Sequence, residues 1–480
     1  MSLKAKAYSA VRWTALGVAG KLLLQFLQIV ILARILSLSE MGLAAIVLSI
    51  TTLVLAFVDA GINNIIMHRQ AISHAERSEL YWLNVLVGGV WSLLVAAFSP
   101  WVADFYGEPA LREVLLFIAP YFVIFAAGQQ LKVMAEKELM FQRLVTVELV
   151  AAFTGFAVTV GLAFAGQGAG AVAMGFTATG LVFTSLAWVF LSSGWRPHAR
   201  PTFSGAGAHL KYGGYVVGNN ILSGINTGAD IFIGGRLLGV GGLGSYSLPR
   251  DLMLNASAVI NAVATRVGLP VMAKAQADRG RLKQVYLKTV RMTASINMPI
   301  FMAVLVLAPD VVWILFGERW MDSVPLLRAL AVWGMLRSIA QPVGSLIFAV
   351  GRADLAMKWN FGLMFLMIPA VWAGLQYGAT GLSLAMVSAG LIAQVPNWWF
   401  LVRPLCGASA TEYFSQLGSP FAATLLTMGS VFFLLMALNG HLIRFAVGLS
   451  AGVAAYVLIS MVVNRDWLVT IKEAVLRRRG

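Results

Sequence analysis

The chain has 480 residues, 59% of them hydrophobic and 11% charged, with a mean hydropathy of +0.81. A water-soluble domain carries roughly a quarter charged residues, so this composition excludes one and points to a membrane protein. A single cysteine, Cys406, and five scattered histidines exclude a disulfide framework and offer no metal-ligand spacing, so no metal or cofactor is expected; the +15 net charge reads as cytoplasmic loops beside anionic lipid, not as a nucleic-acid surface.

Lys4, Lys6 and Arg12 precede the first apolar run, as in a signal peptide, but the run is long, contains Lys21 and has no cleavage site after it. It reads as a retained first transmembrane helix. Apolar stretches of about 20 residues, enough to cross ~30 Å of hydrocarbon, follow near 11–36, 41–60, 80–103, 113–133, 144–166 and 171–192. After a polar, Pro-containing segment, a second set falls near 212–236, 243–271, 288–309, 324–350, 357–377 and 380–402, and a last pair near 419–438 and 443–463. Most basic residues, including Lys132, Lys137, Arg143, Lys274 to Lys288 and Arg477 to Arg479, fall on one set of alternate connections, which places both termini in the cytoplasm. The outer connections are short, and no phosphate-binding loop, D-x-D or G-x-S-x-G occurs, so no enzymatic activity is expected.

A shift of 202 residues lays Ala33-Arg34-Ile35-Leu36-Ser37 over Gly235-Arg236-Leu237-Leu238-Gly239 and Met41-Gly42 over Leu243-Gly244. Phe105-Tyr106-Gly107-Glu108 likewise resembles Leu315-Phe316-Gly317-Glu318 further along. Six spans per unit, an even number, make the repeat parallel. The expectation is an all-α polytopic membrane protein of about fourteen helices: two parallel six-helix lobes around a central cavity, plus two accessory helices. The divisions are an N-lobe at 1–192, a cytoplasmic linker at 193–211, a C-lobe at 212–402, and an accessory pair with a basic tail at 403–480.

In the first helix Thr14, Gly17, Lys21, Gln25 and Gln28 recur every three or four residues and so share one face. Lys21 lies about 15 Å deep at 1.5 Å per residue, where an ammonium facing lipid costs several kcal/mol, so the stripe should face protein or water. The seventh helix carries Tyr212, Asn219, Ser223, Asn226 and Asp230 in the same way, and the eighth adds Arg250, Asp251, Asn261 and Arg266. The plainer reading, interhelical hydrogen bonds that hold a bundle together, suffices for isolated Asn or Ser but less well for Lys21 and Asp230. Arg250 and Asp251 are also open to a purely local reading in which each offsets the burial of the other. Glu148, near the start of the fifth helix, is expected to snorkel to the cytoplasm. Prolines at 120, 249, 270, 299, 342, 369 and 396 suggest kinked, mobile helices.

Several segments together resemble the polysaccharide-exporter branch of the multidrug/oligosaccharidyl-lipid/polysaccharide superfamily, the Wzx-type lipid-linked oligosaccharide flippases. They are Ala33-Arg-Ile-Leu-Ser-Leu-Ser-Glu-Met-Gly42, Asp59-Ala-Gly61, Tyr81-Trp-Leu-Asn84, Phe105-Tyr-Gly-Glu108, Lys137-Glu-Leu-Met-Phe141, Asp230-Ile-Phe-Ile-Gly-Gly-Arg236, Gly244-Ser-Tyr-Ser-Leu248 and Phe316-Gly-Glu-Arg-Trp320. The resemblance implies a cationic cavity that opens alternately to each side of the bacterial inner membrane. It also implies a substrate, an undecaprenyl-diphosphate-linked oligosaccharide moved outward for exopolysaccharide, capsule or lipopolysaccharide synthesis. Membrane lipids and a polysaccharide polymerase or assembly protein would be the partners. Depth and face, not a family motif, nominate Lys21, Gln25, Gln28, Arg34, Asn219, Asn226, Arg250, Asn261, Arg266 and Arg337 as the diphosphate and sugar contacts. Asp59, Asp230 and Asp251 are the candidates for coupling to H+ or Na+. The competing readings are a MATE-like ion-coupled drug exporter, disfavoured by the basic character of the intramembrane charge; a polysaccharide polymerase or ligase, disfavoured by the short outer loops; and a noncatalytic scaffold.

Overall fold

The computed structural model describes residues 3–58, 66, 72–198 and 206–464; side chains at 3–11, 206–217, 259–267 and 353 lie outside the description. The described residues form helices and short connections, with no strand among them; besides the α-helices numbered below there are a 3-10 helix, Glu318–Ser323, and a π turn, Trp398–Val402, that runs into the four-residue helix Arg403–Cys406. In chain order the helices are α1 (Leu3–Ile35), α2 (Leu38–Val58), α3 (His74–Tyr106), α4 (Ala110–Lys137), α5 (Phe141–Phe164), α6 (Gly168–Phe190), α7 (Ala206–Leu237), α8 (Gly239–Ala275) and α9 (Arg279–Val306). They continue as α10 (Ala308–Leu315), α11 (Val324–Ala340), α12 (Pro342–Ala349), α13 (Ala353–Leu375), α14 (Gly378–Asn397), α15 (Ala410–Met436) and α16 (His441–Val463). Among the described residues twelve segments are long and apolar enough to cross a membrane. The other two stretches expected as spans, near 212–236 and 243–271, coincide with α7 and α8. Leu93, Phe164, Phe433 and Val462 stand exposed on these helices, where only lipid gives such side chains a favourable environment.

Several sequence segments singled out above are the places where helices begin and end. At the α1–α2 turn the Glu40 carboxylate accepts from Ser37 N at 2.7 Å, while Ser37 Oγ accepts from Glu40 N at 3.2 Å. This reciprocal box satisfies amides that the first turn of α2 leaves unpaired. At the end of α3, Gly107 takes φ 71°, a left-handed conformation that closes the helix onto the carbonyls of Ala103 and Asp104. Ser409 and Glu412 box the start of α15 as Ser37 and Glu40 do that of α2.

The contacts divide the chain into two compact units, Met1–Ser247 and Leu248–Gly480. In the first, α3 packs on α4, α6 lies against both α4 and α5, α1 lies along α5, and α7 packs on α2. Beyond α6 the chain turns back onto α3: Trp82 Nε1 donates to the His198 carbonyl at 2.7 Å, and the Arg77 guanidinium sits 4.2 Å over the Trp195 ring. In the second unit, α9 is flanked by α11 and α15, α13 pairs with α14, and α15 pairs with α16. Tyr286, Leu346, Val402, Cys406 and Tyr413 form one buried cluster there. The lone cysteine is a core residue, its thiol donating to the Val402 carbonyl at 3.3 Å.

Candidate functional site

The first unit carries a half-open cavity of about 330 Å³ between α1, α4, α5 and α6. Its polar wall is built from Lys21, Gln25 and Gln28 on α1, Gln129 and Lys132 on α4, Glu148 and Thr159 on α5, and Thr179 on α6. Tyr121, Phe125, Phe156, Phe176 and Phe183 supply apolar and aromatic surface. Amides, hydroxyls and rings on one concave surface are the groups that receive sugar hydroxyls and sugar faces.

The α1 wall is placed by small residues. A Cβ on Gly17 would stand 2.8 Å from Val145 Cγ1, and one on Gly20 would stand 2.7 Å from Leu149 Cδ2. The two glycines therefore let α5 lie close along α1, and that approach puts Lys21 opposite Glu148. Lys21 Nζ donates to Glu148 Oε2 at 2.8 Å, and Lys132 Nζ lies 3.0 Å from Glu148 Oε1. One carboxylate thus bridges two ammonium groups from different helices. Glu148 is 13% exposed, whereas the lysines are 35% and 32% exposed, so the lysines present themselves to the cavity and the carboxylate sits behind them.

The facing wall comes from an interlock of α5 and α6. A Cβ on Gly155 would fall on Thr179 Oγ1, and a Cβ on Gly175 would fall on Thr159 Oγ1. Each helix thus carries Gly-x-x-x-Thr, and each threonine fills the space over the other helix's glycine. Thr179 Oγ1 also donates to the Gly175 carbonyl at 2.9 Å, so its hydroxyl is not an unsatisfied buried group.

Three of the residues nominated from sequence, Lys21, Gln25 and Gln28, share this cavity. Arg34 is exposed at the end of α1 and is not part of the lining. Asn219, Asn226 and Asp230 lie on α7; Asp230 is buried, accepting from the Tyr246 hydroxyl at 2.7 Å and from Ile231 N at 3.0 Å. Arg250, Asp251 and Arg337 belong to the second unit. There Arg250 Nη1 pairs with Asp251 Oδ1 at 3.0 Å, and the Arg337 guanidinium lies 5.6 Å from the Trp333 ring centroid. Asn261 and Arg266 are on α8, but their side chains lie outside the description, as does Asp59 altogether. Lys132, Gln129, Thr159, Thr179 and Glu148 were not nominated. Glu148 was assigned to snorkelling, and its carboxylate instead meets Lys21 and Lys132 in the cavity wall. The signal available in the sequence was that Glu148 and Lys21 are both ionisable groups inside apolar runs, and each needs a partner there.

A helical bundle of this kind, with a charged and amide-lined cavity inside membrane-spanning segments, defines a multi-pass membrane carrier fold. A profile described as "Polysaccharide biosynthesis protein" matches residues 31–325. The chain is 31% identical over 443 residues to the lipopolysaccharide biosynthesis protein WzxC of Escherichia coli (strain K12), covering 92% of this chain and 90% of that one. It is 23% identical over 479 residues to the succinoglycan biosynthesis transport protein ExoT of Rhizobium meliloti (strain 1021), covering 98% and 94%. Among solved structures, the lipid II flippase MurJ in an inward closed conformation shares the fold with a TM-score of 0.76 at 13% identity, over 95% of this chain and 100% of that one. The chain belongs to the polysaccharide biosynthesis protein family and is a multi-pass protein of the bacterial inner membrane.

Proposed function

We infer that the protein is a flippase that carries an undecaprenyl-diphosphate-linked oligosaccharide from the cytoplasmic to the outer leaflet, with both termini in the cytoplasm. The observation that carries this reading is the membrane-embedded cavity in which Lys21 and Lys132 stand among Gln25, Gln28, Gln129 and two threonines. Ammonium groups are donors for phosphate oxygens and amides are partners for sugar hydroxyls. Two relatives support it: one is named for lipopolysaccharide biosynthesis and the other for transport in succinoglycan biosynthesis. The prenyl tail stays in the bilayer while the headgroup crosses, so the protein replaces water only around phosphates and sugars. A hydrated groove with positive charge does this at lower cost than a dry one, because an unpaired charge in an apolar site is prohibitive. The excess of lysine over carboxylate in the cavity also disfavours an exporter of cationic drugs.

The test is the leaflet distribution of the lipid-linked oligosaccharide in cells lacking the protein, complemented by wild type, Lys21→Ala or Asp230→Asn at matched expression. Completed units accumulate facing the cytoplasm in the null strain; wild type clears them and Lys21→Ala does not. Normal outward delivery without the protein would overturn the reading. Asp230→Asn reports on coupling: a defect there with normal headgroup binding makes the buried Asp230–Tyr246 pair part of the transport cycle.

A further inference from the structure

We propose that Lys21 and Lys132 form a diphosphate-accepting site in the first unit, and that Glu148 occupies the anion position of that site when it is empty and gives way when a diphosphate arrives. This rests on the transport reading above and deepens it by assigning roles to Lys132 and Glu148.

Glu148 presents one oxygen to each ammonium, at 2.8 and 3.0 Å. Two oxygens of one anionic group shared between two cations from different helices is also how a phosphate group is held. Each ammonium has three donors and gives one to Glu148, leaving donors directed at the cavity, where both lysines are about one-third exposed. The carboxylate, by contrast, is mostly covered. Ligand therefore reaches the lysines from the cavity, whose wall Glu148 shares with them.

The electrostatics give the carboxylate a job in each state. Without it, two ammonium groups held close together inside the bundle would repel one another and lose a shared acceptor. With it, the three charged residues of the lining, two lysines and one glutamate, leave an excess of one positive charge facing the cavity. A diphosphate brought to the same lysines repels Glu148. The carboxylate then loses one or both ammonium partners to the ligand, and because the lysines come from α1 and α4 and Glu148 from α5, the exchange loosens α5 from its neighbours. Glu136 lies within electrostatic reach of both lysines and Glu148, and adds to the repulsion that an entering anion meets from the carboxylates. Binding and release of the headgroup are thus set by competition between two anions for one pair of cations.

The test uses the full-length protein in phosphatidylcholine nanodiscs and inorganic pyrophosphate as the probe, by titration calorimetry. Glu148→Gln keeps the shape and removes the competing charge, and should bind pyrophosphate about tenfold tighter, the scale of one charge-assisted hydrogen bond. Lys21→Gln and Lys132→Gln should each weaken binding by about as much. Unchanged or weaker binding by a folded Glu148→Gln overturns the competition. If that variant does not fold, wild type decides by lysine acylation and mass spectrometry. Pyrophosphate should protect Lys21 and Lys132 selectively over exposed Lys358, and equal labelling with and without it overturns the site. A second set of nanodiscs doped with undecaprenyl diphosphate separates lipid-borne diphosphate from free anion: protection there with no added pyrophosphate supports a carrier-lipid site, and protection by the soluble anion alone overturns it. The leaflet assay stands apart from these arms. Normal complementation by wild type with no protection of the two lysines removes this site and leaves the transport reading intact.

Discussion

Gly42 on α2 and Gly244 on α8 press on each other's helices in a reciprocal way. A Cβ on Gly42 would fall on the Val240 carbonyl oxygen and 3.1 Å from Gly244 N; a Cβ on Gly244 would fall on the Leu38 carbonyl oxygen and 3.1 Å from Gly42 N. The same 202-residue shift that aligns Gly42 with Gly244 aligns Leu38 with Val240. Equivalent residues of the two aligned segments thus meet each other within the first unit. Both glycines are required because backbone meets backbone, and carbonyl oxygens cannot swing aside as a side-chain tip can. Gly42→Ala and Gly244→Ala should each destabilise the protein by about 3 kcal/mol, the upper part of the overpacking range. Gly89→Ala, where an added Cβ meets nothing within 4 Å, should be neutral or slightly stabilising. Thermal unfolding in detergent, followed by tryptophan fluorescence, ranks the three; a Gly42→Ala protein as stable as Gly89→Ala would show that the contact is loose.

The interlock of α5 and α6 predicts a different response, because the obstacle there is partly a side chain. Gly155→Ala drives a methyl into Thr179 Oγ1 and also to 2.9 Å from the Gly175 carbonyl. It should cost about 1–3 kcal/mol and move a cavity wall. Adding Thr179→Ala removes the hydroxyl obstacle but not the carbonyl, so the double variant should regain part of the loss and not all of it. Full recovery would place the whole clash on the hydroxyl; no recovery would place it on the backbone.

The span positions and the polar face of α1 were legible because they depend on period alone: a 3.6-residue repeat puts Lys21, Gln25 and Gln28 on one side, and burial cost turns that side away from lipid. The partner of that face was not legible. Glu148 is 127 residues from Lys21 in the chain, and the two meet because Gly17 and Gly20 fit Val145 and Leu149, a steric match that hydropathy does not encode. The remaining nominated cations illustrate the same limit. Arg250 sits in an apolar run as Lys21 does, yet the structure pairs it with its own neighbour Asp251 in the second unit. Depth in a helix identifies a charge that needs a partner; only packing decides which partner it finds. The match of Gly20 to Leu149 is itself testable. Gly20→Leu should push α1 off α5 and break the Lys21–Glu148 pair, giving the transport defect of Lys21→Ala while leaving the charges in the sequence unchanged.

Asp230 and Tyr246 are joined across the α7–α8 turn by a hydrogen bond of 2.7 Å between two buried groups. Removing the hydroxyl alone leaves a buried carboxylate short of a donor, which costs more than the bond itself was worth. Tyr246→Phe should therefore destabilise the wild-type chain by about 2 kcal/mol but the Asp230→Asn chain by distinctly less, because the amide loses less by going unpaired. A double-mutant cycle on unfolding free energies should give a coupling of about 1 kcal/mol or more. Additive losses would mean that the carboxylate is satisfied by its other contacts.

Within the second unit, the last helix meets α10 at one fully buried carboxylate. Asp310 on α10 lies 2.7 Å from His441 Nδ1 and 3.4 Å from Arg444 Nε, both on α16, and the His441 ring stacks on Trp313 at 5.2 Å between centroids. Arg444 spends a second group on α15, where Nη1 donates to the Leu435 carbonyl at 3.1 Å. Asp310 thus holds the cation that also closes the end of α15. Asp310→Ala strips two partners at once and leaves the guanidinium beside a cavity, so it should cost about 3 kcal/mol, the penalty for breaking a buried charge pair from one side. Asp310→Asn keeps one acceptor oxygen and should cost about half of that. Because the damage is confined to the α10–α15–α16 junction, limited proteolysis of Asp310→Ala should cut near 437–440 earlier than wild type while the first unit remains protected. Cleavage that begins in the first unit would show that this carboxylate supports the whole bundle and not one junction.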